Sequence, residues 1–270
     1  MILLEMTYEQ AILFLDGRIG IGWKLRLDSM RSLLAELDNP HTQFKSVHIA
    51  GTNGKGSTAA MLESIFRAAG YKTGLYTSPH LFDVRERIQV NREHISPEHF
   101  ADLMQRIAPF IEKYGATYFE VLTALSFLYF AESNVDIAFI ETGLGGRLDA
   151  TNVILPILSI ITSIDFDHTK HLGDTLEEIA TEKAGIIKPG VPCLVGDLPP
   201  GAEEVAIQFC EKQNSAFFKA GDIYKLTMLS EKSGATQFQS TNDKFPGDMQ
   251  LSLNGRHQLS NAAIALTACE

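Results

Sequence analysis

The sequence predicts an α/β fold: a mostly parallel central sheet with helices on both faces, plus a small antiparallel side sheet near residues 221–253. Three observations lead there. Short runs rich in Val, Ile, Phe and Leu alternate with amphipathic segments for most of the 270 residues. One of these runs ends in a glycine-rich turn that opens directly into a helical pattern. The stretch 221–253 then breaks the alternation, with short apolar runs between a Ser-Glu-Lys-Ser-Gly and a Thr-Asn-Asp-Lys turn, which reads as two or three antiparallel strands.

Taken in order, helices are predicted at 7–15 and 27–37, then a strand at 45–50 and a helix at 57–69. That helix carries Met61, Leu62, Ile65, Phe66 and Ala69 as an apolar stripe suited to packing on a sheet, and Gly70 stops it. A strand at 73–77 follows. The helix 97–114 has Ser96 as N-cap and Pro97 at its first position, with Glu98 and His99 next. Beyond it come a helix at 119–132, strands at 136–142 and 157–163, a helix at 175–185, a strand at 191–195, a helix at 202–213, a strand at 215–219 and a helix at 259–269. The last is an apolar helix with no polar segment after it, the look of a chain divided at a domain boundary.

Bulk properties exclude several classes. A hydrophobic fraction of 45% suits a globular protein with a real core. A formal net charge of −10 argues against a general nucleic-acid binder, which would show a basic patch. Cys193, Cys210 and Cys269 are an odd number without zinc-like pairing, the pattern of reduced thiols in a cytoplasmic protein. The opening Met-Ile-Leu-Leu-Glu-Met has neither a basic start nor a long apolar run, so no signal peptide is expected. The apolar stretches around 121–130 and 153–164 are too short or too interrupted to span a bilayer.

The chemistry begins at residues 47–58, Val-His-Ile-Ala-Gly-Thr-Asn-Gly-Lys-Gly-Ser-Thr: strand, glycine-rich turn, helix. This order builds a polyphosphate cradle. Gly51, Gly54 and Gly56 admit turns closed to other residues, and amides at a helix start favour an anion. Lys55 adds a positive charge at the β/γ-phosphates, and Ser57 or Thr58 offers a hydroxyl to phosphate or Mg²⁺. The run is a variant of the P-loop pattern, with Ile49 at the first glycine position and Gly56 after the lysine. An ordinary glycine-rich turn with a surface lysine is the plain alternative.

Polar residues cluster where later strands end, the edge that lines the ligand crevice of an open α/β sheet. Glu141 is placed to hold Mg²⁺ or polarise its water, or is simply a solvated strand-end carboxylate. The Gly143-Leu144-Gly145-Gly146 run after it fails as a dinucleotide fingerprint because Leu148 replaces the third glycine. His168 is a candidate Mg²⁺ ligand, although the ion prefers oxygen. The alternative is a His168/His171 pair at a helix start capped by Asp165 or Asp167. Lys183 falls in the last turn of its helix, where a cation complements the dipole, and nothing local favours it over Lys188. The Ser78 hydroxyl can reach Mg²⁺ or merely start a Ser-Pro turn.

Together, residues 51–57, 76–81, 85–88, 117–120, 141–152, 167–173, 182–188 and 255–263 resemble the folylpolyglutamate synthase/dihydrofolate synthase branch of the Mur-type ATP-dependent ligases, in family order over nearly the whole chain. The resemblance implies a P-loop NTPase-like central domain. Thr52, Asn53, Gly54, Lys55, Gly56 and Ser57 then look like the ATP phosphate site, and Asn261 like the residue that meets adenine. Ser78, Glu141 and His168 match the family's magnesium ligands for two Mg²⁺ ions, and Lys183 matches a lysine carried as a CO₂-derived carbamate, an anionic oxygen ligand suited to a hard cation. Thr117, Tyr118, Phe119, Leu148, Asp149 and Ala150 match the pterin-binding positions. Lys55, Lys183 and His168 are the residues expected to act in catalysis.

The implied reaction is acid–amino acid ligation. ATP phosphorylates a carboxylate of dihydropteroate or of a folate, and L-glutamate displaces phosphate to form an amide. Another Mur-type amino-acid ligase, or a nucleotide-binding module without ligase activity, are the alternatives. The family continues for a further glutamate-binding domain of roughly 100–150 residues, so residues 1–270 are expected to form the ATP-binding domain only. A cytoplasmic monomer with small-molecule substrates, and neither nucleic-acid nor membrane partners, is the matching expectation.

Overall fold

The computed structural model describes residues 5–22, 26–232, 234–240 and 247–270. The expected Thr-Asn-Asp-Lys turn and the first four residues lie outside these.

The strands of the main sheet are β1 (Lys45–Ala50), β2 (Thr73–Tyr76), β3 (Ile88–Val90), β4 (Glu93–His94), β5 (Ile137–Glu141), β6 (Leu158–Ile161), β7 (Cys193–Val195) and β8 (Phe217–Lys219). Their spatial order is β4-β3-β2-β5-β1-β6-β7-β8. All neighbours from β2 to β8 run parallel, while β3 and β4 add antiparallel at one edge. Every predicted strand is present. The β3–β4 hairpin is additional, joined by Asn91 and Arg92 at φ +51° and +70°, the left-handed pair that a two-residue hairpin turn requires. A side sheet of β9 (Leu226–Lys232), β10 (Ala235–Ser240) and β11 (Asp248–Leu251) is antiparallel, as expected for 221–253.

The helices are α1 (Tyr8–Asp16), α2 (Asp28–Ala35), α3 (Lys55–Ala68), α4 (Pro97–Tyr114), α5 (Tyr118–Glu132), α6 (Thr169–Leu172), α7 (Leu176–Ala184), α8 (Pro200–Lys212), α9 (Ala220–Ile223) and α10 (His257–Ala268). The short α6 and α9 were not predicted; four residues carry too little periodicity to read.

Strand alternation assigns each helix to a face. Ile137 and Phe139 of β5 join Met61, Leu62 and Ile264 in the core shared by α3, α10 and the side sheet. Ala138 and Ile140 join the opposite core, built by α1, α2, α4 and α5. Cys193 and Val195 of β7 pack under α7 and α8. Helix α5 is apolar all round because it is buried all round, from Glu120 to Leu128 and at Phe130. No helix among the described residues is long and apolar enough to cross a membrane.

Two readings of α3 need correction. The helix starts at Lys55, two residues earlier than predicted, because Gly54 at φ +83° serves as its N-cap. Its buried face is Thr58, Ala59, Met61, Leu62 and Glu63, whereas Ile65 and Ala69 are exposed. The helix stays on the sheet through Phe66, whose ring packs on Phe139 of β5, but the contact strip is too narrow to take in Ile65 and Ala69.

Candidate functional site

From β1 the chain crosses by way of α3 to β2 on one side, and from β6 it crosses by way of α7 to β7 on the other. The loops leaving β1 and β6 meet beside the start of α3, and a cavity opens from the β1 loop over the ends of β5 and β2. The two loops interlock: Thr52 N–H donates to the Ser163 carbonyl at 2.8 Å and Asn53 N–H to Ser163 Oγ at 2.9 Å. Gly51 sits at φ +151°, where an added Cβ would lie 1.9 Å from Thr162 Oγ1, so no larger residue fits this turn. The first helical hydrogen bond of α3 runs from Thr58 N–H to the Gly54 carbonyl, 2.9 Å, which leaves the amides of Lys55, Gly56 and Ser57 ahead of the ladder and facing the crevice.

Lys55 folds back over this loop, with Nζ donating to the carbonyls of Gly51 (3.0 Å) and Thr52 (3.2 Å). It also lies 4.0 Å from Oε1 of Glu141. The alternation that buries Ile137 and Phe139 against α3 turns Glu141 to the same face, beside the helix start. Only 4% of Glu141 is exposed. Its other oxygen accepts the Ser78 N–H at 3.0 Å. Burial pushes its pKa up to about 7, against the opposing pull of the Ser78 amide and the Lys55 charge. A buried carboxylate this short of compensation fits a bound cation. Thr52, Asn53, Gly54, Lys55, Gly56, Ser57, Ser78 and Glu141 all line one cavity of about 730 Å³. The structure separates Ser57 from Thr58: the first faces the cavity, whereas the Thr58 hydroxyl is buried without a partner.

Of the other residues expected at a nucleotide site, Asn261 and Lys183 reach the loop. Asn261 is on α10 with its Oδ1 at the place a Gly54 Cβ would need, 2.3 Å away, and its Nδ2 donates to Gln258 Oε1 at 2.9 Å. Thus Asn261 braces the loop from behind. Lys183 is 3% exposed and donates to the Gly51 carbonyl at 2.9 Å. Burial first, then the Lys55 charge, brings its pKa down to about 8. Lys188, the local alternative, is also brought to about 8 by burial, but it donates to the Asn152 carbonyl at 3.0 Å, away from the loop. His168 begins α6 at φ +47° with no side-chain cap, so neither Asp165 nor Asp167 caps that helix. Its ring is half exposed, with Nε2 3.6 Å from Asp167 Oδ1. Among the described residues no three His, Cys, Asp or Glu side chains gather as a metal cluster.

A second cavity of about 540 Å³ is lined by all six of the remaining predicted positions, Thr117, Tyr118, Phe119, Leu148, Asp149 and Ala150. Thr117 is there because it caps α5: its hydroxyl accepts the Glu120 N–H at 3.3 Å, and Glu120 Oε2 accepts the Thr117 N–H at 2.8 Å. Asp149 is fully engaged by its own loop. Its Oδ2 takes the N–H groups of Gly143 and Leu144, both at 2.9 Å, and its Oδ1 takes the N–H and hydroxyl of Thr151. The Thr151 hydroxyl in turn accepts from His48 Nε2 at 2.8 Å, since its own proton goes to Asp149. The loop between Glu141 and Asn152 therefore serves one cavity with its first residue and the other with Leu144–Ala150.

Sequence reasoning missed the cationic side of this cavity, Arg18, Arg26 and Arg87. Arg87 donates to His80 Nδ1 at 2.9 Å and lies over the Tyr118 ring. Its place in the Arg-Glu-Arg-Ile run was the available signal.

Residues 49–269 match the family described as Mur ligase middle domain. The chain is 42% identical to the dihydrofolate synthase/folylpolyglutamate synthase of Bacillus subtilis, covering 98% of this chain and 63% of that protein. A solved folylpolyglutamate synthase from Thermotoga maritima superposes with a TM-score of 0.89 at 39% identity, over 97% of this chain and 61% of that one. A solved folylpolyglutamate synthase complex with AMPPCP and folate superposes with a TM-score of 0.92 at 32% identity, over 97% of this chain and 66% of that one. The chain spans about three fifths of the length of these relatives.

Proposed function

We propose that this chain, which belongs to the Mur ligase middle-domain family, holds the nucleotide and acceptor sites of an ATP-dependent ligase that joins glutamate to dihydropteroate, to a folate, or to both. The observation that carries this reading is the Lys55–Glu141–Ser78 arrangement at the start of α3, beside a second cavity that is aromatic and arginine-lined. The relatives named above point the same way, and one of them was solved with an ATP analogue and folate.

The acceptor carboxylate attacks the γ-phosphorus of ATP; the new O–P bond forms as the bond to the ADP oxygen breaks. The glutamate amine then attacks the acyl carbon, phosphate leaves and the nitrogen loses a proton. Lys55 and the amides of residues 55–57 offset charge on the phosphates. Ser78 N–H fixes the carboxylate of Glu141, and Asn261 holds the loop in shape. Arg18, Arg26 and Arg87 supply positive charge for the acceptor, with Tyr118 and Phe119 as apolar surface for its ring.

Ser78, Glu141, His168 and Lys183 would hold the Mg²⁺ ions. When bound, Mg²⁺ supplies charge neutralisation and orientation of the phosphates. A lowered pKa favours a carbamate on Lys183. Only the neutral amine adds CO₂, and a pKa of about 8 leaves far more of it at neutral pH than an exposed lysine has. The same reading makes the protein cytoplasmic and monomeric.

Thermal unfolding with and without Mg-ATP tests the reading. At a hundredfold excess over Kd, binding adds about 2.7 kcal/mol, a rise of several degrees. Lys55→Ala removes charge-assisted contacts and is expected to weaken nucleotide binding by roughly 10- to 150-fold, the equivalent of about 1.5–3 kcal/mol. A wild-type melting temperature indifferent to Mg-ATP would sink the proposal.

A further inference from the structure

Among the described residues, four arginines line the acceptor cavity, Arg18, Arg26, Arg87 and Arg147, and they are not equally free. Arg18 gives Nη2 to Glu112 at 3.0 Å, and Arg147 gives Nε and Nη2 to Glu182 at 3.2 and 2.7 Å. Arg26 stands exposed to water. Arg87 differs from all three. It is half-buried, and its side-chain hydrogen bond runs to an imidazole, from Nε to Nδ1 of His80 at 2.9 Å. A ring nitrogen that accepts carries no proton, so His80 is neutral with its proton on Nε2. A carboxylate cancels much of the charge that it holds in place, whereas a neutral partner holds the guanidinium and leaves its charge to be used.

The same bond fixes a direction. With Nε engaged, Nη1 and Nη2 are the donors left to Arg87, and among the described residues no carboxylate pairs with them. The guanidinium lies over the Tyr118 ring, 5.8 Å from its centroid, on the wall that offers apolar surface to the acceptor's ring. His80 is itself held by its loop. Thr77 N–H donates to the Arg87 carbonyl at 3.1 Å and closes the loop at its base. The Glu86 carboxylate takes the N–H groups of Leu81, Phe82 and Asp83 at 2.7, 2.8 and 2.7 Å. Arg87 is therefore fixed twice by one rigid loop, through its backbone and through its side chain.

We infer that His80 is a positioning residue for the acceptor: it holds Arg87 by Nε with the charge uncancelled, so that the two terminal amino groups of Arg87 meet an oxygen of the acceptor. The inference rests on the reading of this cavity as the acceptor site. An arginine side chain has several rotatable bonds, and ordering it costs entropy that a ligand must otherwise supply on binding. His80 supplies that order beforehand. Two separate losses follow from this design. Removing the imidazole keeps the charge of Arg87 and loses its aim. Replacing the imidazole by a carboxylate keeps the aim and loses the charge. A residue that merely held the loop together would tolerate the second change, because a carboxylate ties an arginine more strongly than a neutral group does.

The test is titration of the chain with dihydropteroate and with folate, comparing wild type with His80→Ala, His80→Asn and His80→Asp. Asn and Asp both place an oxygen near the position of Nδ1, and at neutral pH they differ in charge. His80→Ala is expected to weaken acceptor binding about three- to tenfold, the range of one hydrogen bond. His80→Asn is expected to bind within about twofold of wild type, and His80→Asp to lose at least as much as the alanine variant. In an Arg87→Gln background, His80→Ala is expected to cost nothing further, since the two residues act as a unit. Equal affinity in all four proteins, an aspartate variant that binds as well as the asparagine one, or an alanine loss that persists undiminished in the Arg87→Gln background overturns the inference. A wild-type chain that binds neither acceptor overturns the reading of the cavity itself, and the inference with it.

Discussion

His48 is fully buried on β1, and burial, followed by the Lys188 charge, takes its pKa down to about 3. The imidazole is neutral when folded and protonates near 6.5 when unfolded, so the unfolded state binds more protons between those values. Stability is then complete above 6.5 and is lost as pH falls towards 3, by an amount on the order of a few kcal/mol. Melting temperature against pH is expected to show this acid limb, and His48→Gln, which keeps a donor for Thr151, is expected to flatten it. Glu141 has the opposite sign. A carboxyl raised from 4.5 to about 7 favours the folded state while protonated, and this contribution is lost as pH rises through that window. Glu141→Gln is therefore expected to raise the melting temperature of the nucleotide-free chain at pH 8 and to abolish its response to Mg-ATP. Equal melting temperatures for the two proteins at pH 8 would contradict the burial argument. Neither residue's state was legible locally. His48 reads as one polar residue in an apolar strand, and its burial depends on Thr151, 103 positions away.

At the scale of elements, caps and periodicity were the readable signals. Ser96 caps α4 as its sequence indicated, and Thr117 with Glu120 forms a capping box at α5. Thr117→Ala is expected to cost about 1 kcal/mol, a fall of roughly 2–4 °C, and to weaken acceptor binding because the cap lines that cavity. A melting temperature unchanged by the substitution would show that the cap is not load-carrying in this helix. The β3–β4 hairpin escaped notice because Ile-Gln-Val and Glu-His are too short to establish alternation, although Asn91 between them was a turn signal. The α3 stripe was drawn too wide: helical spacing says which residues share a face, but not how wide a strip of it the sheet covers, so Phe66 packs on Phe139 while Ile65 and Ala69 stay exposed.

For the whole molecule, the eight-stranded order puts β1 between β5 and β6, so its loop is tied to that of β6 on one side and opens on the cavity beside Glu141 of β5 on the other. The relatives carry about two fifths of their length beyond the matched segment. On the reading proposed above, the 270-residue chain binds Mg-ATP but releases ADP at a negligible glutamate-dependent rate. A coupled ADP assay with acceptor, with and without glutamate, measures this directly, and robust glutamate-dependent turnover would refute it. The sequence by itself determined the alternation of strands and helices, the glycine-rich turn that opens α3 and the set of strand-end polar residues, because periodicity, glycine turns and caps act over a few neighbouring positions. Only the tertiary structure decided that Lys183 rather than Lys188 meets the loop, that Asn261 packs against Gly54, and that Thr117–Phe119 and Leu148–Ala150 line one cavity. Lys183 and Gly51 are 132 positions apart, and Asn261 is farther still from Gly54; such pairings depend on strand order and burial, which no local window of sequence contains.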